Sequence, residues 1–420
     1  MAHGLALHAA ELRDALPGTA FDLGLAAVEI HSDEQTRAGL IDTMVWQRGA
    51  ELTSEASGEV ALSDDGRIAL TYDYDEVSVW GLTNWLDSKT DRRLDRVTVL
   101  KDRREDGVVT ALSGDGRTAL TGGDVGDTIV WDLTDPAKPV RAAALAGGKN
   151  AEDDDSVRAL ALSRDGRTAV IADLGGDLTV WDLTDRSRPA RLSVTRARAS
   201  SIVDDLRLSA DGGIAVISYR DGAVTFWDLS DPTRPVDAAD LALPGKHEAA
   251  TAMSADGRVI LVENAGGVEV WNLDDKSRPV RTAAFDVPLT DIRDMALSSD
   301  GKSALLAGSS DSEILLDLSD PSRPVRLAAL KGYTREIDSV ALGADGGVAL
   351  VAGSGVSLWD LRDLAEAFAD PKQAACYFNP GTKISKADWV RYTGGADWSD
   401  YKREDNPDAI AVCRIRQDSM

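Results

Sequence analysis

The chain has 420 residues, 43% of them hydrophobic, and 71 acidic against 46 basic side chains give a formal charge of −25. That charge argues against nucleic acid or an anionic membrane as partner. No run of eighteen apolar residues exists to cross a bilayer, and an opening that lacks a basic start and meets Glu11 and Asp14 early is no signal peptide, so a cytoplasmic protein is expected.

Residues 1–42 read as short helices. Leu5, Ala9, Leu12 and Leu16 share one face before Pro17-Gly18, and Phe21, Leu25 and Val28 make a second stripe. Ser32 followed by Gln35 has the spacing of a capping box and opens a third segment running through Leu40. Residues 43–52, TMVWQRGAEL, have strand character.

From there the chain repeats itself. An Asp-Gly pair recurs at Asp65, Asp115, Asp165, Asp211, Asp256, Asp300 and Asp345, each followed 14 to 16 residues later by Trp80, Trp131, Trp181, Trp227, Trp271, Leu316 and Trp359. Successive copies of the second landmark lie 51, 50, 46, 44, 45 and 43 residues apart, a period that belongs to propeller blades. Each copy supplies three strands: an alternating one, a nearly continuous apolar one (TAVIA 168–172, VILV 259–262), and an alternating one ending in Trp-Asp (LTVWDL 178–183). Asp-Gly between the first two fits a tight hairpin. A Pro-bearing segment (DPAKPVR 135–141, DPSRPVR 320–326) leads to a fourth, outer strand, where proline is tolerated. The seventh copy lacks that strand, so residues 43–52 are expected to supply it and remove the open edges. The expected fold is all-β: a seven-bladed β-propeller over 43–361, a helical segment at 1–42, and a small helical, aromatic cap at 362–420. In the cap Leu364 to Phe368 looks helical, and Ser385 caps a short helix carrying Trp389 and Tyr392.

At DLTVWDLTD and its copies the chain resembles the WD-repeat family of propellers. Members of that family open each repeat with Gly-His, whose imidazole joins a turn Asp, a hydroxyl and the Trp in a buried hydrogen-bond set. Here Gly332-Tyr333 is the nearest approach and Leu316 replaces one Trp, so the turn aspartates Asp124, Asp173, Asp221 and Asp311 cannot complete that set. The flanks DEQTRAGLID (33–42) and Cys376…ADWVRY…Cys413 are similar to those around the propellers of bacterial STAND-type signalling proteins. The similar tails also carry two cysteines. This resemblance, and their placement around one small segment, put Cys376 and Cys413 close together, whether bridged as a disulfide or kept reduced in a cytoplasmic compartment.

No chemistry-bearing constellation stands out. His3, His8, His31 and His247 are scattered without ligand spacing, and Glu152-Asp153-Asp154-Asp155 lacks the spacing and glycine of a calcium loop. No phosphate-cradling loop or nucleophile elbow is present, so neither a cofactor nor a metal is expected. The positions starting strand a are mostly apolar or Asp (Val108, Val157, Ile202, Ile292, Ile337), with no His among them, where a channel enzyme needs converging charged or His side chains. Two functions follow: a non-enzymatic scaffold or sensor that binds a protein partner through one face, or a propeller hydrolase or lyase with its site in the central channel. For the first, the anchors expected on the loop face are Tyr74, Arg103, Arg104, Tyr219, Arg220, Lys246, His247, Tyr333 and Arg335, because Tyr and Arg carry most interface energy.

Overall fold

The computed structural model describes residues 1–53, 58–73, 76–88, 93–101, 108–123, 127–146, 156–198, 201–242, 249–264, 267–289, 291–309, 312–330, 337–362, 364, 383–393 and 409–411. The chain is a seven-bladed β-propeller with short terminal helices. It divides into two compact units: residues 50–325 with 333–358, and residues 1–49 with 326–332 and 359–420.

In the first unit each of the seven sheets has four antiparallel strands, lettered a to d from the channel outward. Blade 3 is representative, with strands Val157–Leu162, Thr168–Asp173, Asp177–Asp182 and Ala190–Arg196. Its strand b is buried at all but its first residue, which is why the sequence there is continuously apolar. Its strand d begins exposed, as the proline-led segments suggest. In blades 1 to 5 the register slips by one residue just before the Trp of strand c. Blade 1 is longest because a short helix, Thr83–Asp87, sits between its strands c and d and buries Trp85 and Leu86.

The a–b connection is a five-residue turn that holds the Asp-Gly pair, with a Ser-x-Asp-Gly pattern shared by blades 1 to 6. In blade 3, Ser163 Oγ donates to Asp165 Oδ1 at 2.8 Å and accepts from Thr168 N at 2.9 Å, while Arg167 N donates to the same Asp165 oxygen. Gly166 closes the turn at φ 67, a left-handed conformation that costs a side chain about 1–2 kcal/mol. The same bonds recur at Ser63, Ser113, Ser209, Ser254 and Ser298.

These turns join into a closed ring. Backbone bonds of 2.7 to 3.3 Å run from Asp64 N to Gly114 O, Asp115 N to Arg164 O, Arg164 N to Ala210 O, Ala210 N to Ala255 O, Ala255 N to Ser299 O, Ser299 N to Ala344 O, and Ala344 N back to Asp64 O. The side chains of Asp64 and Arg164 pair across blade 2, where any Cβ on Gly114 would collide with both.

The seventh sheet is completed by Gly49–Thr53, which pairs with strand c of that blade. The chain therefore supplies its closing strand later than residues 43–52: Thr43 to Trp46 are the last turn of a helix. Leu52 of that strand is buried with Leu350 and Leu358.

In the second unit, α1 (Ala2–Leu12), α2 (Pro17–Ile30) and α3 (Glu34–Trp46) share an apolar core with Trp389, which lies on α5 (Lys386–Thr393; α4 is Thr83–Asp87). Leu5, Ala9, Phe21, Leu25 and Val28 are buried there, whereas Leu16 is exposed as the N-cap of α2. The capping box of α3 is set one residue later than Ser32-Gln35: Asp33 accepts from Thr36 N at 2.9 Å and Thr36 Oγ1 accepts from Asp33 N. Within this unit Asp42 accepts from Arg326 at 2.8 Å and from Ala329 N at 2.9 Å.

Candidate functional site

The centre of the propeller encloses a cavity of about 340 Å3, lined by strand a and the residues entering it from all seven blades. Its walls are mixed. Val108, Val157 and Ile337 are buried and do not line it, whereas Ile292 does, beside the charged Asp291, Arg293 and Asp294. A one-residue bulge opens strand a in blades 3, 4 and 6. The extra residue breaks the alternation, so in blade 4 Val203 and Leu206 are both buried while Asp205 and Arg207 line the channel.

Arg207 is the hub. It donates from Nε to Asp205 at 2.6 Å and from a terminal nitrogen to Asp294 of blade 6 at 2.7 Å. Asp294 also accepts from Val340 N at 2.8 Å and Ser339 Oγ at 3.1 Å in blade 7, and from its own neighbour Met295 N. Asp205 takes Thr251 Oγ1 of blade 5 at 3.2 Å. Glu59 of blade 1 accepts Thr110 N of blade 2 at 3.0 Å. Each of these carboxylates thus stitches its blade to the next one.

The electrostatics follow from enclosure. Burial opposes the Arg207 charge, yet Asp205 and Asp294 outweigh it and hold the guanidinium above its usual range. Asp294 is 8% exposed, and burial pushes its carboxyl up against the pull of Arg207. Glu59 is exposed to the channel solvent, with protein crowded around the rest of it. Burial raises its carboxyl to about 7, against the bond from Thr110, with Asp205 adding to the rise and Arg207 opposing it. A carboxyl poised near neutrality in an enclosed polar cavity can hold or release a proton, or meet a cation.

Of the expected partner-face anchors, Tyr74, Arg103, Arg104, Lys246, His247, Tyr333 and Arg335 lie outside the described residues, as do Cys376 and Cys413. Tyr219 does not serve as an exposed anchor: it is fully buried in the core of blades 3 and 4, its hydroxyl 3.2 Å from Thr225 Oγ1. It ends an apolar strand b, where a large side chain fills the blade core. Arg198 lies over its ring at 5.8 Å. Arg220, the next residue, is exposed.

The histidines are less scattered than the sequence suggests. His3 and His31 both meet Asp33, the latter at 3.5 Å. Among the described residues, no cluster of three or more His, Cys, Asp or Glu is arranged to hold a metal.

The Trp positions carry a reduced version of the hydrogen-bond set. Trp80 and Trp131 donate to Thr71 and Thr121 on strand b at 2.9 and 3.0 Å. Trp227 donates to Thr225 at 2.9 Å and Trp271 to Glu269 at 3.0 Å. A hydroxyl or carboxylate from a neighbouring position receives the indole without any histidine.

No family model matches the chain. It is 36% identical over 137 residues to a protein of Actinoplanes sp. named NAD(+) hydrolase ApTIR, a stretch that covers 33% of this chain and 12% of that protein.

Proposed function

We propose that the protein is a non-enzymatic WD-repeat scaffold or sensor module that binds a protein partner through one loop face of the propeller. One observation carries this reading. Asp205, Asp294 and Glu59, the channel groups best suited to chemistry, are engaged in bonds that join neighbouring blades. Their engagement supports a structural task in the channel and leaves the loops to recognition, where variation is tolerated. The limited likeness to a much larger protein named as an NAD(+) hydrolase, with the STAND-like flanks, supports a setting in bacterial cytoplasmic signalling.

A second reading is a propeller hydrolase or lyase using the channel, favoured by the Glu59 carboxyl raised to about 7 beside the cavity. The two separate in one experiment. The tagged protein is recovered from its native host, the mass of any complex is measured by light scattering, and turnover is assayed on the isolated chain, NAD(+) included. A stoichiometric protein complex with no turnover supports the scaffold. Turnover that disappears in Glu59→Gln, without any partner, replaces it with the enzyme.

A further inference from the structure

Three of the chain's four histidines, His3, His8 and His31, lie in the helical unit. His3, near the start of α1, and His31, the C-cap of α2, converge on one atom, Oδ2 of Asp33. His3 Nε2 bonds to it, and His31 Nε2 lies 3.5 Å away. The two rings stand edge to face with centroids 6.3 Å apart. The other oxygen of Asp33 accepts Thr36 N at 2.9 Å as the cap of α3. That bond first, and His3 after it, hold the Asp33 carboxyl well below its usual range. Asp33 therefore stays ionised across pH 5 to 8, the interval in which imidazoles change charge.

α1 depends on such a contact. It has no capping side chain, and it buries only Ala2, Leu5, Ala6 and Ala9, with one large side chain among them. A helix this short is marginal alone, so its docking responds to small changes of charge. We infer that the helical unit carries a pH-sensitive latch: protonated His3 fastens α1 to the Asp33 cap of α3, and loss of that proton loosens the helix. The charge-assisted bond is present at low pH and lost as pH rises through the imidazole range. This goes beyond the loop-face reading and needs no partner to be tested.

The groups facing His3 are Asp33 from the start of α3 and His31 from the end of α2. Glu29, Glu34 and Arg37 are the neighbouring charges along the chain. His31 shares the acceptor and, when charged, opposes the charge on His3. On α1 itself, Glu11 lies 3.1 Å from His8, and Arg13, the C-cap, lies 3.8 Å from Asp42. His8 also meets the ring of Tyr392 on α5 at 5.7 Å, with Arg391 over that ring at 5.4 Å. Between α2 and α5, the Asp22 carboxyl is raised to about 7 by burial first and by Asp388 second. It gains charge against Asp388 over the same interval, so it loosens the unit in the same sense.

Hydrogen exchange of the full chain, corrected for the intrinsic pH dependence of amide exchange, reads the latch. It is followed at pH 6 and pH 8, in the parent and in an Asp22→Asn chain that silences that acid. We expect amides of α1 and of the first turn of α3 to be about two- to fivefold better protected at pH 6 than at pH 8 in both chains, the range of a half-exposed ion pair, with blade 3 unchanged. In the Asp22→Asn chain, His3→Gln should abolish the difference. His8→Gln should leave it in place, and His31→Gln should shift it to higher pH. Equal protection of α1 at the two pH values in the Asp22→Asn chain overturns the latch without recourse to any His variant. Survival of the difference in His3→Gln, or its equal loss in His8→Gln, also overturns it.

Discussion

At the scale of single residues, the repeat is held by short polar pairs rather than by a histidine-centred set. Trp131 is 5% exposed and its indole N–H is satisfied by Thr121 Oγ1. Thr121→Val keeps the shape and removes the acceptor, so it should cost about 1–3 kcal/mol, the usual penalty for a stranded buried donor. Equilibrium denaturation measures this, and an unchanged midpoint would show the indole to be indifferent to its partner. Blade 3 gives the internal contrast: Ile171 stands where Thr121 stands in blade 2, and the buried Trp181 Nε1 has no partner among the described residues. The Trp and Asp-Gly positions were legible because they recur seven times. The channel residues were not, because Glu59, Asp205, Arg207 and Asp294 occur once each and the bulges opening strand a in blades 4 and 6 displace the alternation by which two of those strands would be read.

At the scale of elements, apolar continuity in strand b and alternation in strand c reported burial faithfully, as Thr168–Asp173 shows. Element ends were harder to place. TMVWQRGAEL contains both the last turn of α3 and the first residues of the closing strand, and helical and extended periods cannot be separated within so few residues. One pair of elements carries a pH response. Asp22 on α2 has its carboxyl raised from 3.8 to about 7, by burial first and by Asp388 on α5 second. Between those values the folded state keeps a proton that the unfolded chain has released. The Asp22 contribution is therefore most favourable at low pH and declines as pH rises from about 3.8 to about 7. Glu59 acts in the same sense between 4.5 and about 7, so the comparison with a variant is needed to isolate Asp22. Asp22→Asn should match the parent in thermal stability near pH 4 and exceed it above pH 7. Equal melting temperatures across that range would mean that the two acids do not oppose each other.

At the scale of the whole molecule, two features close the propeller: the turn-to-turn bonds that return from Ala344 to Asp64, and the Gly49–Thr53 strand that completes the seventh sheet. The first is a backbone pattern with no signature of its own in the residues, while the second was visible as a missing fourth strand. Deleting residues 1–53 should expose the edge of strand c in blade 7 and yield aggregated protein. Leu52→Asp, which leaves the chain otherwise intact, should cost about 3 kcal/mol or more by placing a charge among Leu350 and Leu358. Deleted protein as soluble and heat-stable as the parent would contradict closure by this strand. Under the proposed loop-face reading, partner binding would be a property of the assembled ring, since the expected anchors fall in different repeats of the sequence. In a chain of charge −25, the proposed loop-face reading, with Arg103, Arg220 and Arg335 among its expected anchors, favours an acidic partner surface. The most direct measurement changes these three to Glu together and follows partner capture alongside thermal unfolding. Loss of capture with an unchanged melting temperature is the predicted result; undiminished capture by the folded variant would contradict binding through the loop face.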